Sequence, residues 1–237
     1  MNRIWEFTVL SAALIIPGPM LLRSATENDA DHRLNEAATV FEEVMAAPDK
    51  GIPQDLLEKA HCVVIVPGLK KGAFIVGGKF GKGFMSCRGP AGKGWSAPGA
   101  VRVEGGSVGF QIGASDSDVI MLVMNSRGAD RLLQSQFTLG GEGEVAAGPV
   151  GRDATAQTDA KMTAEILSWS RTRGVFGGIS LQGATLRQDT DVNEALYGKK
   201  LENRDIVKTN VAAPPAAHRL LSLLNRYSIV ETKSGNL

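Results

Sequence analysis

Soft metal ligands are scarce in this chain of 237 residues, which has three histidines and two cysteines. His32, His61 and His218 are dispersed, and none stands at ligand spacing from Cys62 or Cys87, so no metal centre is expected. The cysteines do not form a CxxC pair. They are either one disulfide, formed in an oxidising compartment if their strands are neighbours, or two buried thiols. No apolar run reaches the ~20 residues of a membrane span. No fixed-period repeat is visible. Phosphate-cradling loops are missing as well. Gly77-Gly78-Lys79-Phe80-Gly81-Lys82-Gly83 fits neither G-x-x-x-x-G-K-[ST] nor G-x-G-x-x-G, and it reads as a hairpin. Asp116 and Asp118 lack the twelve-residue calcium-loop pattern. No cofactor is expected.

The most informative absence is of acid. Between residues 59 and 103 there are eight basic residues and no acidic one: Lys59, Lys70, Lys71, Lys79, Lys82, Arg88, Lys93 and Arg102. The whole chain has 26 basic and 25 acidic residues, so the remainder carries 18 against 25. A local positive field of this kind suits an anionic surface such as phospholipid headgroups. The bland alternative is lysine guarding strand edges and turns. Nucleic acid is not expected, because no recognition motif is present. Phe74, Phe80, Phe84 and Trp95, which interleave the basic run, read as core.

Glycine is abundant: 28 residues, about 12% against a usual ~7%. The glycines interrupt apolar runs and follow no Gly-X-Y period, which excludes collagen and points to turns and close strand contacts. At the N-terminus, Arg3 and the apolar stretch 9–16 read as an export signal or an uncleaved anchor over residues 1–25. No cysteine follows that stretch to carry a lipid. The expected address is therefore the periplasm or cell envelope.

Residues 26–31 read as loose. Leu34, Ala37, Ala38, Phe41, Val44 and Met45 then recur at helical spacing, and Pro48 stops the helix. A short helix over 53–60 follows. Strands are expected over 62–66, stopped by Pro67-Gly68, and over 73–80 and 83–88 across a Gly81-Lys82 turn. More strands are expected over 100–104, 107–113 and 119–124, with a turn at Gly105-Gly106. Asn125 or Ser126 caps a helix running to about residue 134. A strand pair covers 162–170 and 175–182. A helix starts at Thr190 or Asp191 and ends at Gly198, and a last one opens at Pro214-Pro215. The fold class is α+β: a single antiparallel β-rich domain, sandwich or barrel-like, with helices at both ends.

Gly105-Gly106-Ser107-Val108-Gly109 matches G-x-S-x-G. A nucleophile elbow needs a strand, a sharp turn and a helix, but alternating residues follow Ser107 here. A hydrolase using Ser107 remains a minor alternative. No catalytic residue is assigned and no enzyme is expected.

Seven stretches in order carry a resemblance. They are Val63-Val64-Ile65-Val66-Pro67; the Gly77 to Gly83 hairpin; Trp95-Ser96-x-Pro98; Gly109-Phe110-Gln111-Ile112-Gly113; Ala146-Ala147-Gly148-Pro149; Gly174-Val175-Phe176-x-Gly178-Ile179-Ser180-Leu181; and Asn193 to Tyr197-Gly198. This order resembles the SYLF domain family over about two-thirds of the chain. Trp169 stands where that family usually has tyrosine. The resemblance implies a non-enzymatic phospholipid-binding domain over 34–200, followed by a helical extension over 201–237. In eukaryotic members an amphipathic helix and basic residues serve phosphoinositide binding. Yeast members are also described as actin-binding. Here the 34–45 helix and Lys70, Lys71, Lys79, Lys82, Arg88, Lys93 and Arg102 are the candidate lipid contacts. The export segment sets actin aside as a partner. A periplasmic protein-interaction role is the alternative, with its partner unknown.

Overall fold

A computed structural model of the chain describes residues 19–47, 51–73, 76–89, 94–108, 113–149, 164–172, 175–179 and 181–228. Helix α1 spans Pro19–Ala46 without a break. Residues 26–31 are therefore helical rather than loose. Buried Ala30 precedes Leu34, Ala37, Phe41 and Val44 at the same spacing, so the apolar stripe begins a turn earlier than the sequence suggested. The polar side chains of that turn sit on the outer surface, where Arg33 pairs with Asp29 at 2.7 Å. Helix α2, Gln54–Lys59, leads into a meander of four long strands: β1 Cys62–Ala73, β2 Val76–Cys87, β3 Gly99–Val108 and β4 Gly113–Val123.

Three of these strands run through positions expected to be turns. β1 continues past Pro67-Gly68 because the two residues are accommodated as a bulge, where the register to both neighbours shifts. Gly68 takes φ +58°, a conformation side chains rarely adopt. Its N–H is accepted by Asp118 Oδ1 at 3.1 Å. β2 passes through Gly81 and Gly83 because they lie under this bulge. A Cβ at Gly83 would stand 2.0 Å from the Ile65 carbonyl oxygen, and one at Gly81 would stand 2.8 Å from Val66 and Leu69. These glycines admit a close neighbour rather than a reversal. β3 likewise continues through Gly105-Gly106.

Helix α3, Ser126–Leu132, is capped by Asn125 as expected. Then come β5 Gln136–Thr138, β6 Val145–Ala147, β7 Ile166–Thr172, β8 Val175–Gly178 and β9 Thr185–Gln188. Helix α4, Thr190–Tyr197, is followed by α5 Asn203–Lys208, a 3₁₀ turn at Pro215–Ala217 and α6 His218–Tyr227. The strand order is β5-β9-β3-β2-β1-β4-β7-β6, with β8 on β7, and β6–β7 is the parallel pair. Laid flat, β5 and β6 would be ~34 Å apart at ~4.8 Å per strand. The link from residue 138 to 145 spans at most ~25 Å. The sheet therefore curls into a half-barrel. This α+β architecture with helices at both ends is the expected one.

The curl separates two cores. Val64, Val66, Leu69, Met85, Val103, Met121 and Phe137 fill the inner face. Val63, Ile65, Phe84, Ile120, Leu122 and Trp169 face outward under α1, α2 and α6, where Leu34, Phe41 and Leu224 cover them. Trp169 is fully buried and donates from Nε1 to the Pro149 carbonyl at 2.9 Å. Cys62 and Cys87 face each other in the β1–β2 register, and the structure joins their sulfurs.

Candidate functional site

Strand geometry distributes the basic run over different surfaces. Alternation would send Val66 and Lys70 to one face. The bulge reverses it: Val66 and Leu69 both enter the inner core. Lys71 follows Leu69 inward and Lys70 lies outward. In register, Lys70 opposes Phe80 and Lys71 opposes Lys79. Lys82 and Arg102 share the outer face, opposite each other. Lys93 lies outside the described residues.

These positions differ in what already satisfies them. Lys82 lies 3.3 Å from buried Asp189, whose other oxygen accepts from Val192 N at the start of α4. Arg102 Nε lies 3.0 Å from Glu104, which also meets Arg187 at 3.2 Å. Arg88 is a structural residue. Its guanidinium donates to the carbonyls of Leu57, Glu58 and Ala60 at the end of α2 and to Ser228 Oγ, and it stacks 4.4 Å from the Trp95 ring centroid. Burial lowers its pKa from the ordinary value. A side chain spent on three backbone carbonyls is not available to a headgroup, so Arg88 leaves the candidate set on structural grounds.

Lys70, Lys71 and Lys79 remain, and among the described residues none of them forms an ion pair. Burial, and then the charge of Lys79, lower the pKa of Lys71. All three sit at the end of the sheet where β1 meets β2 and β7 meets β8. Phe80, expected in the core, is 50% exposed there, and Val175 at the start of β8 is 72% exposed. Phe84 and Trp95 are buried as expected. Phe80 carries no sequence mark of exposure, because its burial depends on whether a helix covers that stretch of β2.

The 34–45 helix does not offer a free apolar face. Leu34, Ala37, Ala38 and Phe41 are completely buried against the sheet and α6. The helix is also latched by charge. Arg171 on β7 bridges Glu43 of α1 and Asp118 of β4. Beside this latch, α1 and the β1 bulge enclose an open polar cleft of about 960 Å³, lined by Asp29, His32, Glu36, Lys70 and Asp116 among others. Among the described residues no cluster could hold a metal ion, and no helix is long and apolar enough to cross a membrane. Ser107 lies inside β3, paired with Gly77, rather than at a strand–turn–helix elbow.

The family profile described as "Ysc84: Las17-binding protein actin regulator" matches residues 104–227, more than half of the chain. The chain belongs to the Ysc84 family. This is the SYLF family that its motif order resembles. The rat SH3 domain-containing YSC84-like protein 1 is 33% identical over 182 residues, covering 76% of this chain and 53% of that protein. An SH3 domain-containing protein of Schizosaccharomyces pombe is 38% identical over 178 residues, 73% of this chain and 41% of its own length. Protein YSC84 of Saccharomyces cerevisiae is 32% identical over 213 residues, 88% and 44%. The chain thus spans about half the length of the curated relatives it matches. None of these names describes an enzyme.

Two expectations fall with these findings. Actin was set aside, yet the matching family is described as an actin regulator. A periplasmic or envelope address was expected, yet these Ysc84 relatives come from rat and two yeasts, which have no bacterial envelope. The apolar stretch behind that address lies outside the described residues. An apolar run next to one arginine is a weak sign of export, since a packed segment can have the same composition.

Proposed function

We propose that this Ysc84-family chain is a binding module that docks peripherally on anionic phospholipid through the loop end of its sheet. One observation carries the reading: at one end of the sheet half-exposed Phe80 opposes Lys70 on the outer face and Lys71 opposes Lys79 on the inner face, and none of the three lysines has an ion-pair partner among the described residues. Each lysine near a headgroup layer contributes about 1 kcal/mol, and a partly exposed aromatic ring suits the interface between headgroup and acyl chain. Helix α1 holds the sheet rather than inserting, because freeing its apolar stripe would open the core. Co-sedimentation with phosphatidylcholine vesicles, with and without phosphatidylserine, tests this. Binding is expected only with the anionic lipid, and is expected to weaken as salt rises. Equal binding to neutral vesicles would overturn the electrostatic reading.

A second reading rests on the family description. As a member of an actin-regulator family, the chain binds actin or an actin-regulatory protein directly. Co-sedimentation with actin filaments in the absence of lipid tests it.

A further inference from the structure

Lys71 and Lys79 oppose each other directly, as Lys82 and Arg102 do, but on the inner face of the half-barrel. Like charges at such a position repel, and on the outer face Asp189 and Glu104 offset the Lys82 and Arg102 pair. Among the described residues no acid pairs with Lys71 or Lys79. The cross-strand row through the pair reads Ser115 on β4, Lys71 on β1, Lys79 on β2 and Gly105 on β3. The acids of the same region, Asp116, Asp118 and Glu104, occupy alternate positions and face the other side. Next along the inner face, Ser117 and Thr172 bond to each other through their hydroxyls at 2.6 Å. The rim of the half-barrel therefore offers two ammonium groups and neighbouring hydroxyls, with no competing carboxylate among the described residues.

We propose that Lys71 and Lys79, with Ser115 beside them, form a site for a phosphate monoester. The match is one of charge and size. Such a group carries close to two negative charges at neutral pH on three acceptor oxygens, enough to meet two ammonium groups and a hydroxyl. A phosphodiester carries one charge and satisfies the pair less well. The ligand comes either from a lipid headgroup or from a soluble phosphate. In the first case the inference deepens the docking reading and rests on it; in the second it stands alone.

The experiment uses the full chain and two probes. Inorganic phosphate is titrated by calorimetry. Vesicles of phosphatidylcholine containing either phosphatidate or phosphatidylserine, at matched surface charge, are tested by co-sedimentation. The wild type is expected to bind phosphate saturably and to prefer phosphatidate. The double substitution Lys71→Met and Lys79→Met is expected to weaken phosphate binding about thirtyfold and to abolish the preference. Lys70→Met, on the opposite face, is expected to weaken binding to both kinds of vesicle alike and to leave the phosphate affinity and the phosphatidate preference unchanged. Phosphate binding that depends on the pair, without vesicle binding, supports the site with a soluble ligand and removes the docking reading. Vesicle binding with no phosphatidate preference and no phosphate titration overturns the site and leaves docking intact. Unchanged phosphate affinity in the double variant also overturns it. Because methionine keeps the length of the stem and removes a repulsion, a folding failure is not expected, and circular dichroism checks this.

Discussion

The two ends of the β1–β2 pair are built from similar residues and have opposite economies of charge. At one end Arg88 is fully engaged. Its donors meet three carbonyls and a hydroxyl, its face meets Trp95, and Trp95 Nε1 in turn donates to Ser228 Oγ at 2.9 Å. The Cys62–Cys87 link lies at the same end, on the inner face. At the other end Lys70, Lys71 and Lys79 have no ion-pair partner among the described residues, and Phe80 is half exposed. One end closes the fold and the other leaves charge available. A run of like charge along a sequence is therefore no surface until the partners of each residue are known.

Several substitutions probe that contrast, taken from the largest effect downward. Phe41→Ala empties the centre of the α1 interface and is expected to cost about 4 kcal/mol in a denaturant titration. A stable Phe41→Ala protein that no longer bound vesicles would make α1, not the loop end, the membrane element. Breaking the Cys62–Cys87 link, with its separation of 25 residues, should cost about 3 kcal/mol. Non-reducing peptide mass mapping would show the linked pair directly. Arg88→Met strands the carbonyls of α2 and should cost about 2 kcal/mol while leaving vesicle affinity unchanged. Lys71→Met carries the opposite sign. It removes a repulsion and should stabilise by about 0.5 kcal/mol.

Lys71 also predicts a pH dependence. Its folded pKa lies below the ordinary 10.5, so the unfolded chain binds more protons between the two values. Its contribution to stability therefore rises with pH across the window just below 10.5. That part of the slope should vanish in Lys71→Met, as thermal melts at matched ionic strength would show.

Much of the fold was legible because its signals are local. Asn125 caps α3, α4 starts at Thr190 and ends at Gly198, and the apolar run of β4 is a strand covered on both faces. The missed features depend on distant neighbours. Gly81-Lys82 looks like a turn until Leu69 is seen to need the room. β9 and α5 are too short to show a period. For the site, the lysines could be picked out by composition, but their sides could not. The bulge at Pro67-Gly68 sends Lys70 and Lys71 to their respective faces, and Arg88 is defined by a helix end about thirty residues earlier in the chain.

The most direct measurement compares vesicle co-sedimentation of the wild type, the triple variant Lys70→Glu, Lys71→Glu, Lys79→Glu, and Arg88→Met, using phosphatidylcholine vesicles containing phosphatidylserine. If the free end docks, the triple variant loses binding by about a hundredfold or more, at roughly 1 kcal/mol per lysine, while Arg88→Met binds like the wild type. A folded triple variant that binds like the wild type, or an Arg88→Met protein that stays folded and loses binding, would contradict the assignment of function to that end.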